Sequence, residues 1–160
     1  MRFIALGLIV ASASALGYAL YSQYYQGFHP CELCIWQRYG FCATIFFAAV
    51  ALVYKPKIFV NLASLAMLAT GAIAAYHFGI EQKWWVGFQT CSSPSAGGSA
   101  EDLLAEIMTA PVVRCDEATW FFLGLSMAGW NVIYSGGLGV LALILGRKKY
   151  ALHIHQNTVK

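Results

Sequence analysis

Charge is what this chain has least of. Of its 160 residues, ten are Lys or Arg and seven are Asp or Glu, 11% in all. Soluble domains carry about 25% charged residues, so this chain cannot cover itself with solvated side chains. There is no internal repeat and no low-complexity tract. The nearest to one, Ser92–Ser93–Pro94–Ser95–Ala96–Gly97–Gly98–Ser99, reads as a flexible hinge. No basic run interleaves with aromatics, which excludes a nucleic-acid surface. What remains is 59% hydrophobic, with a mean hydropathy of +0.61. The class is integral membrane, with a core that faces lipid as well as protein.

The apolar residues fall into four runs. Arg2 precedes Phe3 to Leu20, just long enough to span a hydrocarbon layer of about 30 Å. Small residues at Ala11–Ser12–Ala13–Ser14–Ala15 would also suit a signal peptidase, but the run is taken as a span. The four helices are expected at about 3–20, 35–54, 58–80 and 122–146. Residues 21–34 and 81–121 form outer loops, 55–57 an inner turn and 147–160 an inner tail. Arg2, Lys55, Lys57, Arg147, Lys148, Lys149 and Lys160 then lie inside, against Arg38, Lys83 and Arg114 outside. That excess satisfies the positive-inside rule with both termini cytoplasmic. The expected fold is a single all-α membrane domain over residues 1–160: a bundle of four transmembrane helices with one long outer loop. Leu103, Leu104, Ile107 and Met108 make one stripe of a short amphipathic helix in that loop, suited to a bilayer surface.

This topology sorts the five cysteines. Cys31 and Cys34 sit at the outer edge of the second helix, and Cys91 and Cys115 in the long outer loop. Cys42 lies inside the second span and is read as a small packing residue. Disulfides persist in an oxidising compartment, and none of the cysteines faces the cytoplasm. The stretch His29–Pro30–Cys31–Glu32–Leu33–Cys34–Ile35–Trp36–Gln37–Arg38 places two thiols at a helix start, with a cation one turn beyond Cys34. A helix N-terminus and a nearby cation both favour the thiolate, the form that attacks disulfides. A redox-active dithiol is therefore expected. The competing reading is half a zinc site, which would need two further ligands. Cys91–Cys115 by itself reads as a static loop disulfide. Beside a CxxC on the same membrane face it reads as an exchanging one.

The chain resembles the DsbB/DsbI family of bacterial membrane thiol oxidases along its whole length. The resemblance is most specific over Pro30–Arg38 and over Cys115–Asp116–Glu117–Ala118–Thr119–Trp120–Phe121–Phe122–Leu123–Gly124–Leu125–Ser126–Met127. It implies an inner-membrane enzyme that reoxidises a soluble periplasmic thiol oxidase of the DsbA type and passes the electrons to membrane quinone, ubiquinone rather than menaquinone. It implies that Cys91 meets the soluble partner, that Cys115 exchanges with Cys31, and that Cys34 faces the quinone. Cys31–Cys34 with Cys91–Cys115 is the implied resting pairing, and Cys31–Cys115 the implied pairing in turnover. Arg38 corresponds to the family's quinone-site arginine, and His77 to a histidine near the quinone. An enzyme of the vitamin K epoxide reductase type is disfavoured, because its CxxC lies in a late helix. A different class, a non-catalytic membrane protein with a CxxC metal site and a structural loop disulfide, is the alternative.

Among the other residues, Trp84 and Trp85 read as interface anchors. Ser135, Gly136, Gly137 and Gly139 read as small positions that let the fourth helix approach its neighbours. His153 and His155 suggest no role.

Overall fold

A computed structural model describes the backbone over residues 1–85, 115–118 and 120–158, with side chains up to Lys148. Cys91, the 92–99 hinge and the expected surface helix around 103–108 lie outside the described residues.

Four helices carry the fold: α1 (Arg2–Tyr24), α2 (Glu32–Val53), α3 (Pro56–Glu81) and α4 (Met127–Thr158). All four are long and apolar enough to cross a membrane, α4 over Met127–Lys148. Helices are the form in which a single segment satisfies its own backbone in lipid. The protein is a multi-pass membrane protein, with four spanning helices among the described residues. α3 is central, packing along both α2 and α4, while α1 leans on α2 and touches α4 only lightly.

The helix bounds depart from the expected ones for local reasons. α1 runs on to Tyr24, and Tyr21 stacks on Tyr25 at 5.3 Å between ring centres, a pairing that a helix's four-residue spacing permits. α2 starts three residues early, at Glu32, because Cys31 caps it: the Cys31 Sγ accepts from the Cys34 N–H at 3.4 Å. Lys55 adopts a left-handed conformation (φ 35°), and Pro56 opens α3 at once, its fixed φ suiting a first helical position. α4 starts late, because residues 121–126 fold as a hairpin, β1 (Phe121–Phe122) against β2 (Leu125–Ser126). Its two central residues, Leu123 and Gly124, both have positive φ (51° and 79°), as the favoured two-residue hairpin turn requires. An apolar run alone does not distinguish this from helix. Arg147 and Lys148 do not stop α4, since both side chains favour helix.

The core is built from small side chains. Ala5, Ala48, Ala51, Ala63 and Ala142 pack with Leu8, Phe41, Val60 and Met67. Lipid gives helices no hydrophobic drive to associate, so close backbone approach has to hold them. Three buried hydroxyls are satisfied within their own helices: Thr44 donates to the Gly40 carbonyl, Ser64 to Val60 and Thr70 to Ala66, at 2.8–3.0 Å. Large apolar side chains such as Phe3, Val10, Phe46, Val53 and Leu65 point outward. Cys42 is exposed as well, so it faces the surround rather than packing in the core. A cysteine in an apolar run reads the same from sequence whichever way the helix is turned.

The α3 and α4 backbones approach closely at Gly71, where an added Cβ would lie 3.0 Å from the Gly136 backbone nitrogen. At Gly137 the same atom would meet nothing within 4 Å. Gly71→Val is therefore expected to destabilise the bundle by roughly 1–3 kcal/mol, and Gly137→Ala to leave it unchanged. Thermal unfolding in detergent separates the two.

Candidate active site

Cys31 enters α2 from an extended conformation, φ −74° and ψ 171°, with its sulfur over the first turn. Three residues on, Cys34 returns to the same side. The two sulfurs lie 3.0 Å apart, with Cys31 donating to Cys34. Cys115 comes from a separate segment, anchored where Lys83 pairs with the Asp116 carboxylate at 2.7 Å. The Cys115 sulfur is hydrogen-bonded to Cys31 and to the backbone N–H groups of Leu33 and Glu32. It thus occupies the positive end of α2, where unpaired N–H groups favour negative charge.

The three sulfurs form a line with Cys31 in the middle. The donors run from Cys115 to Cys31 to Cys34. The Cys115 contact pulls the Cys31 thiol down, but the bond Cys31 donates to Cys34 and its burial outweigh that and push it up to about 12. Its bond to Cys31, together with burial, holds the Cys115 thiol far above the usual cysteine range. The thiolate is the reactive form. In fully reduced protein, alkylation of Cys31 and Cys115 should therefore be slow near neutrality and rise about tenfold per pH unit up to high pH. Mass spectrometry of iodoacetamide-quenched samples across a pH series measures this. Fast labelling of Cys31 at pH 7 would contradict it.

His77 completes the centre from α3. Its Nε2 is 3.6 Å from the Cys31 sulfur and 3.7 Å from a Glu81 carboxylate oxygen one turn on. The Cys115 carbonyl also reaches its ring. On the other side, a chain of polar side chains runs across the bundle. Ser135 donates to Asn131 at 2.5 Å, Asn131 to Gln37 at 2.6 Å, and Gln37 to the His77 Nδ1 at 3.1 Å. This direction leaves the imidazole proton on Nε2, facing Cys31 and Glu81. The far carboxylate oxygen of Glu81 accepts from Ser126 in β2, just before α4.

Below the sulfurs lies a cavity of about 410 Å³, of a size that suits a small-molecule ring. Its walls are mostly apolar: Tyr18, Phe28, Phe41, Trp120, Phe122 and Trp130. Cys34, Arg38, His77, Gln37 and Asn131 are among its polar groups. Cys34 and Arg38 share one face of α2. The Arg38 guanidinium is not loose at the surface: it donates to Gln23 at 2.5 Å and to the Ala19 carbonyl at 3.2 Å, both in α1.

Of the six residues expected at the site, five are thus brought together: Cys31, Cys34, Cys115, Arg38 and His77. Cys91 lies outside the described residues. Sequence reasoning missed Gln37, Glu81 and Asn131. The available signal was polarity, since uncharged amides and a carboxylate within or at the end of apolar helices call for partners. Trp85 stacks on Tyr76 at 5.8 Å and donates to its carbonyl, closing the end of α3.

A four-helix membrane bundle that presents a line of three thiols beside an apolar cavity is built for thiol–disulfide chemistry. The comparisons with known proteins give the family. Residues 1–145 match the family description "Disulfide bond formation protein DsbB". The chain is similar to proteins named disulfide bond formation protein B. That of Azoarcus sp. (strain BH72) is 31% identical, covering 92% of this chain and 94% of its own. That of Nitrosomonas eutropha is 31% identical, covering 94% and 97%. That of Xanthomonas euvesicatoria pv. vesicatoria is 32% identical, covering 91% and 90%. No solved structure gives a significant match. The chain belongs to the DsbB family of disulfide bond formation proteins. It is a membrane oxidoreductase that forms disulfides, and the non-catalytic alternative is set aside.

Proposed function

We propose that this protein reoxidises a periplasmic thiol oxidase of the DsbA type and passes the electrons to membrane quinone, with ubiquinone favoured over menaquinone. The site would lie at the periplasmic face of a bacterial inner membrane, with both chain termini in the cytoplasm. The observation that carries this reading is the placing of the sulfurs. Cys34 and Arg38 open onto the apolar cavity, while Cys31 reaches Cys115 on the opposite side. One dithiol therefore communicates with a lipid-soluble acceptor and with a loop in water.

Electrons enter when the reduced soluble partner attacks a Cys91–Cys115 disulfide at Cys91. That step frees Cys115 as a thiolate, and the N–H groups of Glu32 and Leu33 hold its charge. Cys115 then attacks Cys31 of the Cys31–Cys34 disulfide, and the Cys34 thiolate leaves toward Arg38. The partner's second thiol then attacks its own sulfur in the mixed disulfide with Cys91, which releases the oxidised partner and frees the Cys91 thiolate. Cys91 attacks Cys115 and expels Cys31, which leaves Cys31–Cys34 as a dithiol. Cys31–Cys34 would return to the disulfide by giving up two electrons and two protons to a quinone, which Cys34 and Arg38 would face in the cavity. Arg38 would stabilise negative charge both on Cys34 and on the acceptor oxygen. His77, with its proton on Nε2, would donate a hydrogen bond to Cys31 when that sulfur is charged. The donor is a strong oxidant, near −120 mV, so an acceptor of higher potential has to draw the sequence forward.

The test is a coupled assay of the purified protein in detergent. Reduced DsbA-type oxidase is supplied with a soluble ubiquinone analogue, in the absence of oxygen. Loss of partner thiols matched by loss of quinone absorbance supports the proposal. Partner oxidation without quinone loss, or no oxidation at all, overturns it.

A further inference from the structure

We propose that the reduced protein binds one zinc ion at Cys31, Cys34 and His77, and that this ion blocks the dithiol until it is removed. The proposal goes beyond the thiol-oxidase reading and needs it only for the consequence, inhibition.

The geometry that carries it is the convergence of three donors from two helices. The sulfurs of Cys31 and Cys34 and a ring nitrogen of His77 lie within 4.8 Å of one another. Two thiolates and an imidazole are the donor set zinc prefers over the hard cations. With Zn–S of about 2.3 Å and Zn–N of about 2.0–2.1 Å, tetrahedral ligands stand roughly 3.8 Å apart for two sulfurs and roughly 3.6 Å apart for sulfur and nitrogen. Cys31 Sγ and His77 Nε2 already stand 3.6 Å apart. The two sulfurs, at 3.0 Å, must open by under an ångström, and a small turn of Cys34 at the cavity edge does that. The Cys34 N–H donates to the Cys31 sulfur, the backbone-to-sulfur bond that steadies a thiolate ligand. A fourth position remains on the side of Cys115, whose sulfur touches Cys31.

The surroundings of His77 suit this role. A ligating imidazole usually donates its other N–H to an acceptor, which fixes the ring. With zinc on Nε2 the ring proton moves to Nδ1, and the Gln37–Asn131–Ser135 chain can reverse as a unit. Gln37 turns its carbonyl oxygen to Nδ1, Asn131 turns its oxygen to Gln37, and Ser135 accepts instead of donating. The chain ends in a hydroxyl, which can both donate and accept, so the reversal leaves no group unpaired. Binding exchanges two thiol protons for the ion: Zn²⁺ plus two S–H gives two Zn–S bonds and two released protons. No electron moves. The disulfide form has no thiolate to offer, so the site exists only in the reduced state.

The test uses the full chain in detergent, reduced without oxygen and titrated with zinc against a chromophoric chelator. One zinc per reduced chain is expected, and none for the disulfide form. His77→Ala should weaken binding about tenfold or more. X-ray absorption at the zinc edge of the wild-type protein should show two or three sulfurs and one imidazole nitrogen. That readout stands even if His77→Ala fails to fold. Stoichiometric zinc should stop quinone reduction by the reduced chain, and added chelator should restore it. Absence of stoichiometric binding, a coordination shell without imidazole, affinity unchanged in a folded His77→Ala, or undiminished turnover with zinc bound would each overturn the proposal. All of these except the last are read on the metal alone, so failure of the quinone reading leaves them interpretable.

Discussion

Cys34→Ser is expected to lower quinone reduction by at least about 10³-fold while leaving the bundle folded. Removing a nucleophile outright costs losses of this size or larger, because the remaining groups act only through it. Cys34 is the one cysteine among the described residues that lines the cavity. Cys31 is not part of the cavity wall and contacts Cys115 and His77. A serine hydroxyl in its place cannot form the disulfide that stores the electron pair's oxidation state. The fold should tolerate the change, since Cys34 is only partly buried and its neighbour Cys31, not Cys34, caps α2. Steady-state quinone absorbance with the reduced partner measures the loss, and thermal unfolding checks the fold. Residual turnover above a few per cent of wild type would mean that electrons reach the acceptor by another sulfur.

Arg38→Ala is expected to cost about 10²-fold in kcat/KM for quinone, divided between a higher KM and a lower kcat. Loss of one preorganised donor from a developing anion costs about 10² to 10³ in rate, and the open cavity allows water to replace part of it. Arg38→Lys should rescue only partly. The guanidinium reaches Gln23 and the Ala19 carbonyl with two separate nitrogens, and an ammonium group cannot hold both directions while facing the cavity. A quinone titration of the three proteins gives both constants. Full activity in Arg38→Ala would place the arginine among the α1–α2 contacts alone.

The fold was legible because the bilayer constrains it so strongly. Four apolar runs of spanning length admit little but four helices, and the structure has them. Their ends were less legible. Cys31 shows why: a helix start depends on a sulfur accepting an N–H, and no hydropathy pattern registers that. The hairpin before α4 turns on positive φ at Leu123 and Gly124, inside a stretch that is apolar from Phe121 to Leu125. At the site, Cys31, Cys34 and Arg38 could be read from their spacing on one helix. Cys115 could be named, but its place at the positive end of α2 depends on a long-range contact. His77, Gln37 and Asn131 are joined by hydrogen bonds across three helices, and Glu81 lies 3.7 Å from His77. Local sequence holds no record of which polar groups will meet inside a bundle.

The central claim is that Cys31–Cys34 is the dithiol oxidised by quinone. A single-turnover experiment on reduced protein carrying Cys91→Ser and Cys115→Ser addresses it most directly. These substitutions remove the outer pair and leave the cavity and the dithiol in place. The protein is mixed anaerobically with a stoichiometric ubiquinone analogue and quenched with an alkylating agent. Disulfides are mapped by mass spectrometry, and quinol is measured by absorbance. The account predicts one Cys31–Cys34 disulfide for each quinol formed. Quinol without that disulfide, or thiols that stay reduced in the presence of quinone, would contradict it.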